Sequence, residues 1–92
     1  MRNKLLKIIN NYGVIPQLKY LQSEVFELNE AIIKHETNGC EYKHIIEELA
    51  DVLVMIYQLV YYYDVDDLEL LKIMDFKVDR QLERIRKENE NE

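Results

Sequence analysis

Glu47-Glu48-Leu49-Ala50-Asp51-Val52-Leu53-Val54-Met55-Ile56-Tyr57-Gln58-Leu59-Val60-Tyr61-Tyr62-Tyr63 is the stretch on which the fold turns. From Val52 to Tyr63 the run is apolar except for Gln58. It falls far short of the roughly 20 residues that cross a bilayer, so it reads as a buried helix and not as a membrane span. The helix is expected from about Tyr42 to Tyr63, apolar nearly all round, and so central, with neighbours on several sides. Glu48, Asp51, Met55 and Tyr62 share one side of it. Two acids on a helix otherwise buried are costly unless they are paired or coordinate a metal.

The flanking sequence is helical too. Leu5, Ile8 and Ile9 mark a short helix over 3–11, which Tyr12-Gly13 breaks. Pro16 suits the first turn of a second helix, expected from about Ile15 to His35. Leu18, Leu21, Val25, Leu28 and Ile32 recur there at spacings of 3, 4, 3 and 4, with Glu24 at the edge of the stripe. Phe26 and Ile33 lie off the stripe and suggest a second apolar surface, as at a subunit interface. Thr37-Asn38-Gly39 reads as a turn. Asp66 or Asp67 can cap a fourth helix over about Leu68–Arg86, with Leu71, Met74, Val78, Leu82 and Ile85 as its stripe and Lys77, Arg80, Arg84 and Lys87 as a basic face. The tail 88–92 reads as frayed. With 2 Gly and 1 Pro in 92 residues, the chain has no material for a turn-rich β-fold. The expected fold is all-α: one domain over residues 1–92, an antiparallel bundle of about four helices. So small a domain buries a modest core, and oligomerisation completes it.

A net charge of −6 argues against nucleic acid as a partner. The one cysteine, Cys40, cannot form an internal disulfide, and no signal peptide follows the basic N-terminus, which points to the cytoplasm. His35, Cys40 and His44 lack the spacing of a zinc site. Di-iron bundles need Glu-x-x-His pairs, and neither histidine stands three residues after a candidate acid. No serine or cysteine nucleophile sits in a recognisable motif.

Two acidic pairs remain: Glu24-Val-Phe-Glu27 and Glu48-Leu-Ala-Asp51. Each pair lies on one helix face, and antiparallel packing brings all four carboxylates together. Their mutual repulsion raises their pKa values, and a hard divalent cation, Mg²⁺ or Mn²⁺, relieves it. A lone ExxE usually means a solvated face; a second pair on so apolar a helix favours a site. The basic stripe alone is ordinary helix decoration, with Glu83 and Glu88 as available partners. Beside a carboxylate cluster it reads better as a phosphate-binding surface.

Ser23-Glu24-Val-Phe-Glu27-Leu28, then Glu47-Glu48-Leu-Ala-Asp51-Val52, then Lys77-x-x-Arg80-x-x-x-Arg84 resembles the MazG-like nucleoside triphosphate pyrophosphohydrolases, whose pattern is EExxE, a gap, then ExxD. Tyr12-Gly13, Gln17 and Lys19 resemble the lead-in to the first acidic motif, so the likeness covers roughly residues 12 to 86. It implies an all-α dimer or tetramer that cleaves an NTP or dNTP between the α- and β-phosphates, giving the monophosphate and pyrophosphate. It makes Glu24, Glu27, Glu48 and Asp51 the Mg²⁺ ligands. One of these, or Glu47, orients the attacking water. Lys77, Arg80 and Arg84 hold phosphate oxygens, in a site that subunits can share. Ser23 departs from the pattern, replacing the first acid of EExxE, and bears on the number of metals. A phosphoribosyl-ATP pyrophosphatase is the second reading within this chemistry. A non-catalytic helical oligomer or nucleotide-binding module is the reading outside it.

Overall fold

Among the described residues, four helices account for nearly all of the chain from Arg2 to Glu90. The computed structural model describes residues 1–39 and 42–90. Its elements are α1 (Arg2–Tyr12), α2 (Val14–Asn38), α3 (Tyr42–Tyr62) and α4 (Asp67–Glu90), with no strand among the described residues. The all-α expectation is borne out.

Each boundary has a local cause. Gly13 ends α1 by giving its N–H to the Ile9 carbonyl at 2.7 Å. Its φ of 91° lies where only glycine is unstrained, and Pro16 then sits in the first turn of α2. Helix α2 runs past the expected end at His35. Thr37 and Asn38 are helical, the Thr37 hydroxyl donating to the Ile33 carbonyl, and Gly39 at φ 68° is the left-handed cap. The end of α3 is a Schellman arrangement: Val65 N–H reaches the Val60 carbonyl and Asp64 N–H the Tyr61 carbonyl, with Asp64 at φ 50°. Arg2 reaches across from α1 to the Asp64 carboxylate at 3.2 Å and lies over the Tyr61 ring. Asp66 caps α4 by accepting from the Glu69 N–H at 3.0 Å. That helix continues through Glu90 rather than fraying from residue 88, and Arg86 pairs with both Glu83 and Glu90. Asn91 and Glu92 lie outside the described residues.

Three helices pack on one another. Helix α3 is central, lying against both α1 and α2, and α1 also touches α2. The buried apolar residues are Leu5 and Ile9 from α1, Ala31 from α2, and Val52, Met55 and Val60 from α3. Helix α4 packs against none of the three. Its whole apolar stripe is uncovered, with Leu71, Met74, Val78, Leu82 and Ile85 all at least half exposed. The molecule is accordingly long, 53 × 38 × 21 Å, with a radius of gyration of 17.0 Å. A compact domain of this length has about 12 Å.

The face that α2 turns inward differs from the expected stripe. Its buried residues are Gln17, Glu24 and Ala31, seven apart, while Leu18, Val25 and Ile32 flank them half-exposed. Glu24 is therefore at the centre of the packed face and not at its edge. On α3, Leu49, Leu53, Val54 and Ile56 are similarly uncovered, so the neighbours expected on several sides are found on only part of it.

Candidate functional site

Glutamates 24 and 48 are buried, at 9% and 8% exposure, on facing helices whose neighbouring acids Glu27 and Asp51 are exposed. Each helix thus supplies one buried and one solvent-facing acid. Sequence reasoning gave both acids of α3 a buried setting; Asp51 is in fact exposed, because three residues turn the helix about 300° and carry it to the rim. Oxygens of Glu24, Glu27 and Glu48 lie within 4.8 Å of one another. Asp51 stands outside that group but beside Glu24, and the two border a cavity of about 250 Å³ with Tyr20, Val54 and Met55.

The electrostatics follow from this crowding. Burial pushes the Glu24 carboxyl upward, and the charges of Glu27, Asp51 and Glu48 push it further; its protonated form also gives a hydrogen bond to Asp51. Glu48 is raised by the same burial, then by Glu27 and Asp51, with Glu27 as its hydrogen-bonding neighbour. His44, 3.9 Å away one turn earlier on α3, opposes that rise. One oxygen of each buried acid, Oε2 of Glu24 and Oε2 of Glu48, is sealed from solvent with no hydrogen-bond partner. Buried carboxylate oxygens without donors are expensive, and a cation is the group that satisfies several at once. An all-oxygen, acid-rich donor set suits a hard ion. The residues fit a divalent cation.

The other expected site residues lie elsewhere. Glu47 is on the exposed face of α3, outside the carboxylate group. Lys77, Arg80 and Arg84 are on α4, which packs against neither α2 nor α3 and borders α3 only where its first turns meet Tyr57 and Tyr61, so within one chain they do not meet the acids. Among the described residues none of the three makes an ion pair; Arg80 lies over Phe76 at 6.0 Å. Cys40, discounted as a zinc ligand, lies outside the described residues.

The family model for the MazG nucleotide pyrophosphohydrolase domain matches residues 16–84, which include both acidic pairs and the basic stripe. The chain belongs to that family. MazG domains are metal-dependent, and the acidic group of Glu24, Glu27 and Glu48 is a possible metal site in this one. No curated protein and no solved structure matches the chain. None of its helices, among the described residues, is long and apolar enough to cross a membrane.

Sequence reasoning missed two features of this MazG domain. His44 stands at the i,i+4 spacing that pairs it with Glu48, a signal that was available. The second is a buried glutamine pair: Gln17 Nε2 donates to Gln58 Oε1 at 2.8 Å across α2 and α3, and Gln58 Nε2 points at Met55 Sδ, 3.7 Å away. Gln58 was legible as the one polar residue of the apolar run; its partner was not.

Proposed function

We propose that this MazG domain hydrolyses nucleoside triphosphates, ribo- or deoxyribo-, between the α- and β-phosphates, releasing the monophosphate and pyrophosphate with Mg²⁺ as cofactor and Mn²⁺ as a substitute. The observation that carries the reading is the solvent-sealed, donorless oxygen on each of Glu24 and Glu48, two acids of one carboxylate group in a family of nucleotide pyrophosphohydrolases. Glu24, Glu27, Glu48 and Asp51 would hold the cation. Bound there, it neutralises phosphate charge and lowers the pKa of water.

The chain's own residues divide the remaining work. Water adds to one phosphorus of the α–β anhydride, the bridging P–O bond breaks, and a proton must leave the water. Glu27, in the carboxylate group, and Asp51, beside Glu24, are exposed and better placed to receive it than Glu47, which is neither in that group nor beside Glu24. Lys77, Arg80 and Arg84 would stabilise the charge that collects on the departing pyrophosphate. Because α4 lies away from the acids of its own chain, the basic stripe reaches them most simply from a second copy. The exposed stripe of α4 and the exposed flanks of α2 and α3 supply matching apolar surface for a homodimer or a tetramer.

The test is pyrophosphate release from a panel of NTPs and dNTPs with Mg²⁺ or Mn²⁺, using wild type, Glu48→Gln and Asp51→Asn. Metal-dependent turnover lost in both variants is the expected result. Absence of turnover with every nucleotide, together with no effect of metal on the melting temperature, would leave a non-catalytic helical oligomer.

A further inference from the structure

Among the described residues, α4 meets the rest of the chain at one place. Residues 63–66 connect it to α3, and its first turns, through Leu70, Leu71 and Met74, border a cavity of about 490 Å³ whose other walls are Met1, Tyr57 and Tyr61. Beyond those turns it packs against no other helix of its own chain. Its direction is therefore a soft coordinate, and small energies at the joint decide it. The joint also has leverage. Arg80 lies about 20 Å along the helix from Asp67, so a tilt of about 10° at the base displaces it by about 3–4 Å. A hydrogen bond to a phosphate oxygen does not survive that displacement.

One side chain from α1 holds this joint. Arg2 places its guanidinium 5.4 Å from the centre of the Tyr61 ring and donates to the Asp64 carboxylate at 3.2 Å. Tyr61 in turn lies 6.0 Å from the Tyr57 ring. The residue that Arg2 grips departs from local preference. Three of the described residues have positive φ; Gly13 and Gly39 are glycines, and the third is Asp64. A side chain strains the backbone there, and glycine would end α3 without that strain. What aspartate adds is a carboxylate in the α3–α4 connection, within reach of α1. The pair is well exposed, and exposed pairs add little to stability. Its effect falls on the direction of α4, which nothing else in the chain fixes.

We propose that Arg2 is a positioning residue: by holding Asp64 and the Tyr61 ring it fixes the α3–α4 joint and so aims the Lys77, Arg80 and Arg84 stripe. The proposal rests on the reading of that stripe as the phosphate-binding surface and names what orients it. Arg2 and Asp64 act through α4 and not on substrate. Fixing α4 before a second copy meets it also leaves less to order on association.

The test uses the full chain in a Cys40→Ser background, with nitroxide labels at Asn10→Cys on α1 and Glu88→Cys on α4. Excess unlabelled chain keeps each oligomer to one labelled copy. Pulsed dipolar spectroscopy then reads the α1–α4 distance without nucleotide or metal. The parent chain should give one narrow distance; Arg2→Ala and Asp64→Asn should broaden it, and Arg2→Lys should keep it narrow. Asparagine tolerates left-handed backbone as aspartate does, so the melting temperature of Asp64→Asn should not fall. With triphosphate and Mg²⁺, kcat/KM should fall about three- to ten-fold in Arg2→Ala and in Asp64→Asn. Combining either with Arg80→Ala should cost little beyond Arg80→Ala alone, because both act through the same stripe. Distances equally narrow in every variant overturn the proposal, as do broadened distances with undiminished turnover. A loss in kcat/KM that simply adds to that of Arg80→Ala also overturns it. Broadened distances with no cleavage of any triphosphate by the parent chain would remove the hydrolase reading and keep Arg2 as the holder of the joint.

Discussion

Gln17 and Gln58 meet in the same antiparallel register that sets Glu24 against Asp51. Moving seven residues along α2 and seven back along α3 passes from one layer to the other, and Glu27 beside Glu48 continues the series. A buried amide pair and a carboxylate cluster are thus two layers of one helix–helix seam.

The amide layer should behave as a closed unit. Gln58→Leu leaves the Gln17 amide without its buried partner and should destabilise the chain by about 1–3 kcal/mol. Changing both glutamines to leucine should recover most of that loss, since no polar group is then stranded. Urea unfolding of the two single variants and the double variant gives the coupling directly; additive losses would show that the 2.8 Å bond contributes nothing.

The carboxylate layer sets the pH dependence of the metal-free protein. Glu24 and Glu48 have folded pKa values raised above the ordinary 4.5. Between the ordinary and raised values the folded state binds more protons than the unfolded one, so their contribution is full below pH 4.5 and is lost as pH rises through the raised values. Melting curves in chelator should therefore show Glu24→Gln and Glu48→Gln more stable than wild type at pH 7, with the advantage shrinking towards pH 4.5. Variants less stable than wild type at pH 7 would contradict the unrelieved repulsion.

Divalent metal should reverse that order. A cation bound only by the folded state stabilises it by mass action, about 2.7 kcal/mol at one hundred times Kd. Mg²⁺ or Mn²⁺ should raise the melting temperature of wild type, EDTA should return it, and Glu24→Gln and Glu48→Gln should lose most of the response. Equal shifts in all three proteins would place the ion elsewhere.

Association and folding should separate by position. Ile9 is fully buried inside one chain, so Ile9→Ala should cost about 2–5 kcal/mol at any protein concentration. Leu71 and Leu82 are both 58% exposed on a helix that packs against none of the other three, so Leu71→Asp with Leu82→Asp should spare the three-helix unit. Sedimentation should show wild type as an oligomer and the double variant as a smaller species with lost turnover. A wild type that stays monomeric at high concentration would remove the shared-site reading of Lys77, Arg80 and Arg84.

The helices were legible because little in the chain opposes them: two glycines stand at breaks, and Asp66 caps where a cap was expected. The four acids were legible by spacing, since helix geometry alone puts Glu24 with Glu27 and Glu48 with Asp51. Which acid of each pair is buried was not legible. A stripe drawn through leucines placed Glu24 at an edge, because hydrophobic periodicity cannot anticipate a seam centred on Gln17, Glu24 and Ala31. The stripe of α4 was legible as an apolar face, but periodicity does not say that the chain's own helices leave it uncovered. Gln17 was legible only as part of the lead-in to the first acidic motif; its pairing with Gln58, forty-one residues away, comes from the fold alone.

The seam also works as a ruler. An insertion of one residue in α2 between Gln17 and Glu24 would turn one layer about 100° away from its partner and dismantle it. Seven residues added to both α2 and α3 would instead restore both layers to within about 20° of facing, while lengthening their separation by about 10 Å. The distance between amide layer and acid cluster is therefore a single adjustable dimension of this scaffold, fixed by two helices that must change length together.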